Sequence, residues 1–346
     1  MSAGTLTIDL DAVTANWRAL DAMTQCETGA VVKADAYGLG GARVARALAH
    51  AGCRRFHVAT AAEGADIRRA LGPGPEISVF AGHMAGDTET IGDLALTPLL
   101  NSIDQVTRHF EALPGAPFGV QLDTGMNRLG LEWEDWAQIA EIVLDQRPTV
   151  LMSHLACADT PDHPMNAYQR DVFDRMTDGL GVARSLAATG GMLLGQEYHY
   201  ELCRPGIGLY GGFPFTRARP AVTLDLPVIQ CRDLGPGEVA GYANAWQAER
   251  PTRLAICAGG YADGLHRVLS DRATLWHGAV PCPLVGRVSM DMVIVDITDL
   301  ADDPETLTVL GPQQGVDALA EQAGTIGYEV LTSLGGRYTR RYASGG

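Results

Sequence analysis

From residue 29 to about residue 210 the chain repeats one rhythm, a short apolar run followed by an amphipathic stretch, and this alternation constrains its fold more than any other feature. The apolar runs are GAVVKA from Gly29, FHVAT from Phe56, EISVF from Glu76 and LTPLL from Leu96, then FGVQLD from Phe118, TVLMSHL from Thr149, SLAAT from Ser185 and CRPGIGLY from Cys203. Between them lie ARVARALAHAG, SIDQVTRHFEAL, DWAQIAEIVLD and NAYQRDVFDRMTDGLG, whose apolar positions recur at helical spacing. Strands that alternate with helices predict a parallel sheet with crossover connections. Eight such strands favour a closed (β/α)8, TIM-like barrel over an open doubly wound sheet. After Pro220 the rhythm changes: VTLDLPVIQCRDL, EVAGYANAWQ, RLAICAGGYADG, ATLWHGAVPCPLVGRV and MVIVDIT are β-rich and turn-separated, and only VDALAEQAG reads as a helix. The expected organisation is therefore a barrel over residues 1–225 and a mostly antiparallel β domain over residues 226–346.

Charge and composition narrow the chemistry. A formal net charge of −15 opposes binding to nucleic acid or to an anionic membrane surface. No apolar run approaches the roughly 18 residues needed to span a bilayer. The opening MSAGTLTIDLDAV has neither a basic segment nor an apolar one, so no signal peptide is expected. The seven cysteines are scattered without a CxxC pair, the pattern of reduced thiols in a cytoplasmic protein. The nine histidines form no HExxH or HxxxH, and no metal site is expected.

Of the 26 basic residues, 25 are arginine, and Lys33 is the only lysine. A codon preference accounts for the bias but not for the one lysine that remains. Arginine supplies a permanent charge and no amine nucleophile, whereas lysine can lose its proton and form a Schiff base. Such chemistry would have to sit at Lys33.

Active sites of these barrels lie at the C-terminal ends of the strands. Lys33 falls there on the first strand, Arg128 follows the fifth, and His154 ends the sixth. Thr189, with Gly190 and Gly191, ends the seventh, and Arg204, with Gly206 and Gly208, falls at the eighth. Phosphate is often held by the loops after strands seven and eight, where small residues let backbone N–H groups approach. Taken singly, each residue has an ordinary structural reading; their placement on one face is the signal. GIGLYG (206–211) also matches a dinucleotide fingerprint, but Pro205 precedes it and Pro214 and Pro220 break any following helix.

At these residues the sequence resembles the alanine racemases, a family dependent on pyridoxal 5′-phosphate (PLP). AVVKADAYGLG (30–40), DTGMNRLG (123–130), SHLACAD (153–159), RPGIGLYGG (204–212), GYADG (260–264), GRVSMD (286–291) and GTIGYEVLT (324–332) match the family's motifs in the family's order. The resemblance implies that Lys33 carries the cofactor and acts as the base on one face of a small amino-acid substrate. It implies that Tyr261 is the acid–base on the other face, supplied by the partner subunit of a homodimer. Racemisation needs such a pair, because a proton leaves one side of Cα and returns on the other. By the same resemblance His154 and Arg204 assist Tyr261, and Arg204 faces the pyridine nitrogen. Arg128 and the backbone N–H of Met290 bind the substrate carboxylate. Tyr37, Thr189, Gly206, Ile207 and Tyr328 hold the phosphate. D-alanine for peptidoglycan is the implied product.

Three positions depart from the pattern, one of them Ala188, where asparagine is usual. A carbamylated lysine of many family members is replaced by Gln121, and the expectation is that Gln121 orients Arg128 instead. Thr189 stands where serine is usual and keeps the hydroxyl. A PLP-dependent decarboxylase would carry an acidic residue where Arg204 lies, and a non-catalytic PLP carrier would need no GYADG.

Overall fold

The computed structural model describes residues 3–344, and these form two compact units. One comprises Val13–Leu209 with Pro214–Arg217; the other comprises the chain up to Ala12, Tyr210–Phe213, and the chain from Ala218 onward.

The first strand, β1 (Thr5–Asp9), belongs to the second of these units. The next, β2 (Glu27–Thr28), starts the barrel. It is followed by β3 (Ala30–Val31), β4 (Arg55–Val58), β5 (Glu76–Val79), β6 (Thr97–Leu100), β7 (Gly119–Gln121), β8 (Leu151–Met152) and β9 (Arg184–Ser185). From β3 to β9 each strand lies parallel to the next in chain order. The eighth apolar run yields β10 (Leu202–Cys203), which pairs in parallel with β2. Backbone bonds from Gly29 N to Cys203 O, Val31 N to Pro205 O and Arg204 N to Ala187 O, each 2.9 Å, tie this strand to both ends of the sheet. The sheet thus curls and closes on itself.

All four residues of β6 are buried, as expected of a parallel strand covered on both faces. Helices form where the sequence pattern places them. Ser102 caps Ile103–Ala112 by accepting from Gln105 N at 3.3 Å, and Thr60 caps Ala61–Leu71 by accepting from Glu63 N at 3.3 Å. Pro164 opens Pro164–Thr177 at a position whose N–H would have no helical partner. Leu100, Phe118, Val120, Trp136 and Phe173 fill the layer between sheet and helices. Truncating fully buried Phe173 to alanine would cost about 3–5 kcal/mol.

The second unit is built on β11 (Val222–Leu234), a long strand with register shifts at Leu224/Asp225 and Val228/Gln230. Later in the chain β12 (Val239–Ala240) and β13 (Trp246–Gln247) form a separate ribbon, while β14 (Thr252–Ala258), β15 (Thr274–His277), β16 (Val280–Pro283), β17 (Met292–Asp296), β18 (Thr306–Leu310) and β19 (Thr339–Ala343) pair with β11 or extend its sheet. The main path runs β16-β15-β18-β11-β1-β19, while β14 pairs with the distal half of β11 and β17 pairs with β14. Only β1 and β19 run parallel.

The sequence division placed residues 5–9 with the barrel, whereas β1 pairs with β11 and β19. The reason is visible in TLTID: Leu6 and Ile8 are buried and their neighbours are not, the one-sided alternation of an antiparallel sheet rather than the continuous burial of a barrel strand.

Candidate active site

Lys33 stands two residues beyond β3, at the C-terminal mouth of the barrel. The backbone after it is unusual: Ala34, Asp35, Ala36 and Tyr37 all have φ between 52° and 57°, one left-handed helical turn. For L-residues this conformation costs about 1–2 kcal/mol per residue, so it must be held by its surroundings. Glu63 accepts from Ala34 N at 3.0 Å with one oxygen and from Ala59 N at 2.8 Å with the other. Asp35 accepts from Gly41 N at 2.6 Å, and Ala36 N donates to Val32 O at 2.9 Å. The turn buries Tyr37 and brings its hydroxyl against Gly206, where a Cβ would collide with it.

The Lys33 ammonium lies over the Phe80 ring, 5.7 Å from its centroid. Burial, reinforced by the charge of Arg128 and opposed by that of Glu63, lowers its pKa. A larger fraction is consequently the free amine than in an exposed lysine.

Arg204 follows β10 and is 2% exposed. Its guanidinium donates to the Ser185 hydroxyl and, at 2.8 Å, to the Ser153 carbonyl. No carboxylate of the described residues forms an ion pair with it. Burial lowers its pKa to about 10, so it is still a cation at neutral pH. His154 follows β8. Burial first, then Arg204, Arg128 and Lys33, depress its pKa to about 3. It is therefore neutral at physiological pH. Its backbone is fixed by Gln169, whose amide donates to His154 O at 2.9 Å and accepts from Ala156 N at 2.8 Å.

Thr189 begins a short helix after β9 and accepts from Gly206 N at 3.0 Å and Gly208 N at 3.2 Å. Its own O–H remains to donate. Ile207 starts a single 3-10 turn, and the long helix that a dinucleotide site needs does not follow. Arg128 is exposed in the loop after β7. That loop is organised by Asp123, which accepts from the backbone of Gly125 at 2.7 Å and Met126 at 3.0 Å. Gln121 donates to Leu129 O at 3.1 Å, so it acts on the backbone beside Arg128.

In the second unit, Tyr261 and Met290 are clasped together. Tyr261 N donates to Ser289 O and Ala262 N to Met290 O, both at 3.0 Å. Gly260 permits this approach, since a Cβ there would strike both carbonyl oxygens. Asp263 is fully buried and holds Gly260 N at 2.9 Å, while Arg337 grips its two oxygens at 2.7 Å each and Asp291 at 2.7 Å. Tyr261 is 44% exposed and Met290 53%. Tyr328 lies in the helix Gly327–Ser333.

The sequence residues therefore fall into two sets: Lys33, Tyr37, Arg128, His154, Thr189, Arg204, Gly206 and Ile207 in the barrel, and Tyr261, Met290 and Tyr328 in the β unit. Glu63, Ser153, Ser185, Gln169, Asp263 and Arg337 were not singled out from sequence. Ser153 and Asp263 lie inside the quoted SHLACAD and GYADG motifs, and Glu63 carried a local signal, the Thr60-x-x-Glu63 spacing at a helix start.

A lysine amine at the mouth of a (β/α)8 barrel, together with a buried arginine that lacks a carboxylate and a separate β unit, defines a barrel enzyme of the amino-acid racemase class. Residues 8–214 match the family model described as alanine racemase, N-terminal domain, and residues 221–342 the one described as alanine racemase, C-terminal domain. An alanine racemase from Cereibacter sphaeroides is 66% identical over 346 residues, covering 99% of both chains. A catabolic alanine racemase from Agrobacterium fabrum is 42% identical, covering 100% of this chain and 93% of that one. A crystal structure of alanine racemase from Bartonella henselae, described as having covalently bound pyridoxal phosphate, superposes with a TM-score of 0.94 at 34% identity, covering 99% of this chain and 100% of that one. The biosynthetic alanine racemase of Pseudomonas aeruginosa gives 0.92 at 34% identity and covers 99% and 100%. The chain belongs to the alanine racemase family and is an isomerase that racemises alanine.

Among the described residues no helix is long and apolar enough to cross a membrane, and no group of histidine, cysteine and acidic residues could hold a metal ion.

Proposed function

We propose that the chain interconverts L- and D-alanine by a two-base mechanism with PLP held at Lys33, as a cytoplasmic homodimer supplying D-alanine for peptidoglycan. The observation that carries this reading is the surroundings of its only lysine: a partly desolvated amine of lowered pKa that acts on the same histidine, His154, as a buried, carboxylate-free arginine. The residues present fit the cofactor. Gly206 leaves a cradle that a Cβ would fill against Tyr37, and Thr189 keeps a hydroxyl proton to donate to an anion. Tyr37, Thr189, Gly206, Ile207 and Tyr328 would bind the phosphate and Arg204 the pyridine nitrogen. When bound, PLP supplies the electron sink that makes the substrate Cα–H acidic.

The chain's own residues do the rest. Lys33 Nζ takes or returns the Cα proton on one face. Tyr261 of the partner subunit does so on the other, so each site is complete only in the dimer. Arg204 would keep its proton, because a guanidinium in these surroundings remains charged, and would offer the pyridine nitrogen a hydrogen bond without giving up that proton, which would limit transamination. Arg128 and the Met290 N–H bind the carboxylate and fix Cα between the two bases. Neutral His154 orients by hydrogen bonding.

The test has two parts. Protein supplied with PLP should absorb in the near ultraviolet to blue, and borohydride should bleach it while mass spectrometry finds one label, on Lys33. Tyr261→Phe should keep that absorbance yet suppress solvent-proton exchange into one enantiomer more than into the other. An unlabelled Lys33 after reduction, or symmetric and undiminished exchange in the variant, overturns the assignment.

A further inference from the structure

Two of the seven cysteines face each other across the seam that closes the barrel. Cys26 immediately precedes β2, Cys203 ends β10, and these two strands pair in parallel. Their Sγ atoms are 3.6 Å apart, within hydrogen-bonding reach. Both sulfurs also lie near the His199 carbonyl, at 3.9 and 3.7 Å, and the Thr24 hydroxyl sits 3.2 Å from Cys26 Sγ. Cys203 is fully buried, whereas Cys26 is only partly covered and can be reached from solvent. Among the described residues, no other pair of cysteine sulfurs is in hydrogen-bond contact.

We propose that Cys26 and Cys203 form a hydroperoxide-responsive thiol pair whose oxidation cross-links the closing seam of the barrel. The sulfurs must move together by about 1.5 Å to reach the ~2.05 Å of a disulfide, a distance that side-chain rotation between neighbouring strands can cover. The exposed partner is also the more acidic. The Cys203 thiol, held protonated by its hydrogen bond to Cys26 and then by burial, lowers the Cys26 pKa to about 6 against the opposing effect of Cys26's own burial, and Thr24 and His199 assist. Cys26 is thus largely thiolate at neutral pH, the reactive form.

The chemistry balances with hydrogen peroxide, the simplest hydroperoxide, as oxidant. The Cys26 thiolate attacks one peroxide oxygen; the O–O bond breaks, an S–O bond forms, and the departing hydroxide (protonated by solvent) leaves as water. Cys203 sulfur then attacks the Cys26 sulfenic sulfur, forming the S–S bond and breaking S–O, while the Cys203 proton leaves with the hydroxide as a second water. Two thiols together lose two electrons, and the peroxide is reduced to water. Cys203 is followed directly by Arg204, so the cross-link pins the strand end that delivers this arginine. The inference stands independently of the two-base reading.

The experiment treats full-length, PLP-loaded protein with hydrogen peroxide, then blocks remaining thiols with a maleimide under denaturing conditions and maps fragments by mass spectrometry. The expected result is a loss of about 2 Da, protection of two of the seven thiols, and a linked fragment pair containing Cys26 and Cys203 that dithiothreitol separates. Cys26→Ala, which touches no residue of the proposed site, should show none of these changes. Retention of all seven thiols, conversion of Cys26 to sulfinic acid without a link, a link to any other cysteine, or an unchanged 2 Da loss in Cys26→Ala each overturns the proposal.

Discussion

The Gln121 amide donates to the carbonyl of Leu129 at 3.1 Å, which fastens the end of the loop carrying Arg128 to the last residue of a barrel strand. Gln121 is 5% exposed and has no charge, so its influence on the loop is a single neutral hydrogen bond. Removing one partner of such a bond costs about 1 kcal/mol, or roughly fivefold in an equilibrium. Gln121→Ala is therefore expected to raise KM for both alanine enantiomers several-fold, with a smaller change in kcat. Steady-state kinetics in both directions check this, and an unchanged KM would show that Arg128 is placed without the bond.

Thr189 satisfies the N–H groups of Gly206 and Gly208 with one oxygen. Thr189→Val keeps the shape but strands two buried donors, at about 1–3 kcal/mol each. The expected outcome is PLP binding weakened by tenfold or more, measured by equilibrium dialysis, whereas Thr189→Ser should bind nearly as the parent does.

Asp263 joins three pieces of the β unit: the Gly260 backbone, Arg337 and, through Arg337, Asp291. Asp263→Asn keeps the volume and loses the charge that the bidentate grip requires. A drop of several degrees in Tm is expected, together with lower kcat, because the turn bearing Tyr261 is no longer tied down. Full activity at unchanged Tm would assign the clamp no role.

Low pH should weaken the barrel before it affects the acids. His57 is fully buried and held well below the usual histidine range, first by burial and then by Arg204 and Arg55; His154 is held near 3. Both are neutral when folded but take up protons in the unfolded chain below about 6.5. The unfolded state then binds more protons, so stability present above 6.5 is lost as pH falls, down to about 3 for His154. At pH 5 the loss is roughly 2 kcal/mol for His154. Urea unfolding at pH 7.5 and pH 5 measures it, and His57→Gln should show a smaller difference between the two.

Much of this was legible in the sequence because it depends on local periodicity. Each of the eight apolar runs contains or adjoins a barrel strand, and the four helical stretches became helices over residues 41–51, 103–112, 133–145 and 164–177. Lys33 could be singled out because no other lysine competes with it. Residues that act on others at a distance in sequence were not legible. Ser185 meets Arg204 across 19 positions and Arg337 meets Asp263 across 74, and no spacing rule predicts such pairs. The left-handed turn after Lys33 was hidden as well, since Ala34, Ala36 and Tyr37 have no intrinsic preference for positive φ. The low pKa of His154 depends first on burial and then on three cations converging from separate strands, which only the folded barrel brings together.

The pairing of β1 sets a schedule for synthesis. Thr5–Asp9 are made long before their neighbours in the sheet, Val222–Asp225 and Thr339–Ala343. The interior strand β1 therefore waits unpaired until its partners are made, and a separately expressed fragment beginning at β11 would expose two unpaired edges where that strand belongs. Supplying residues 3–12 as a peptide, or grafting them through a linker onto such a fragment, is the way to obtain this half in soluble form.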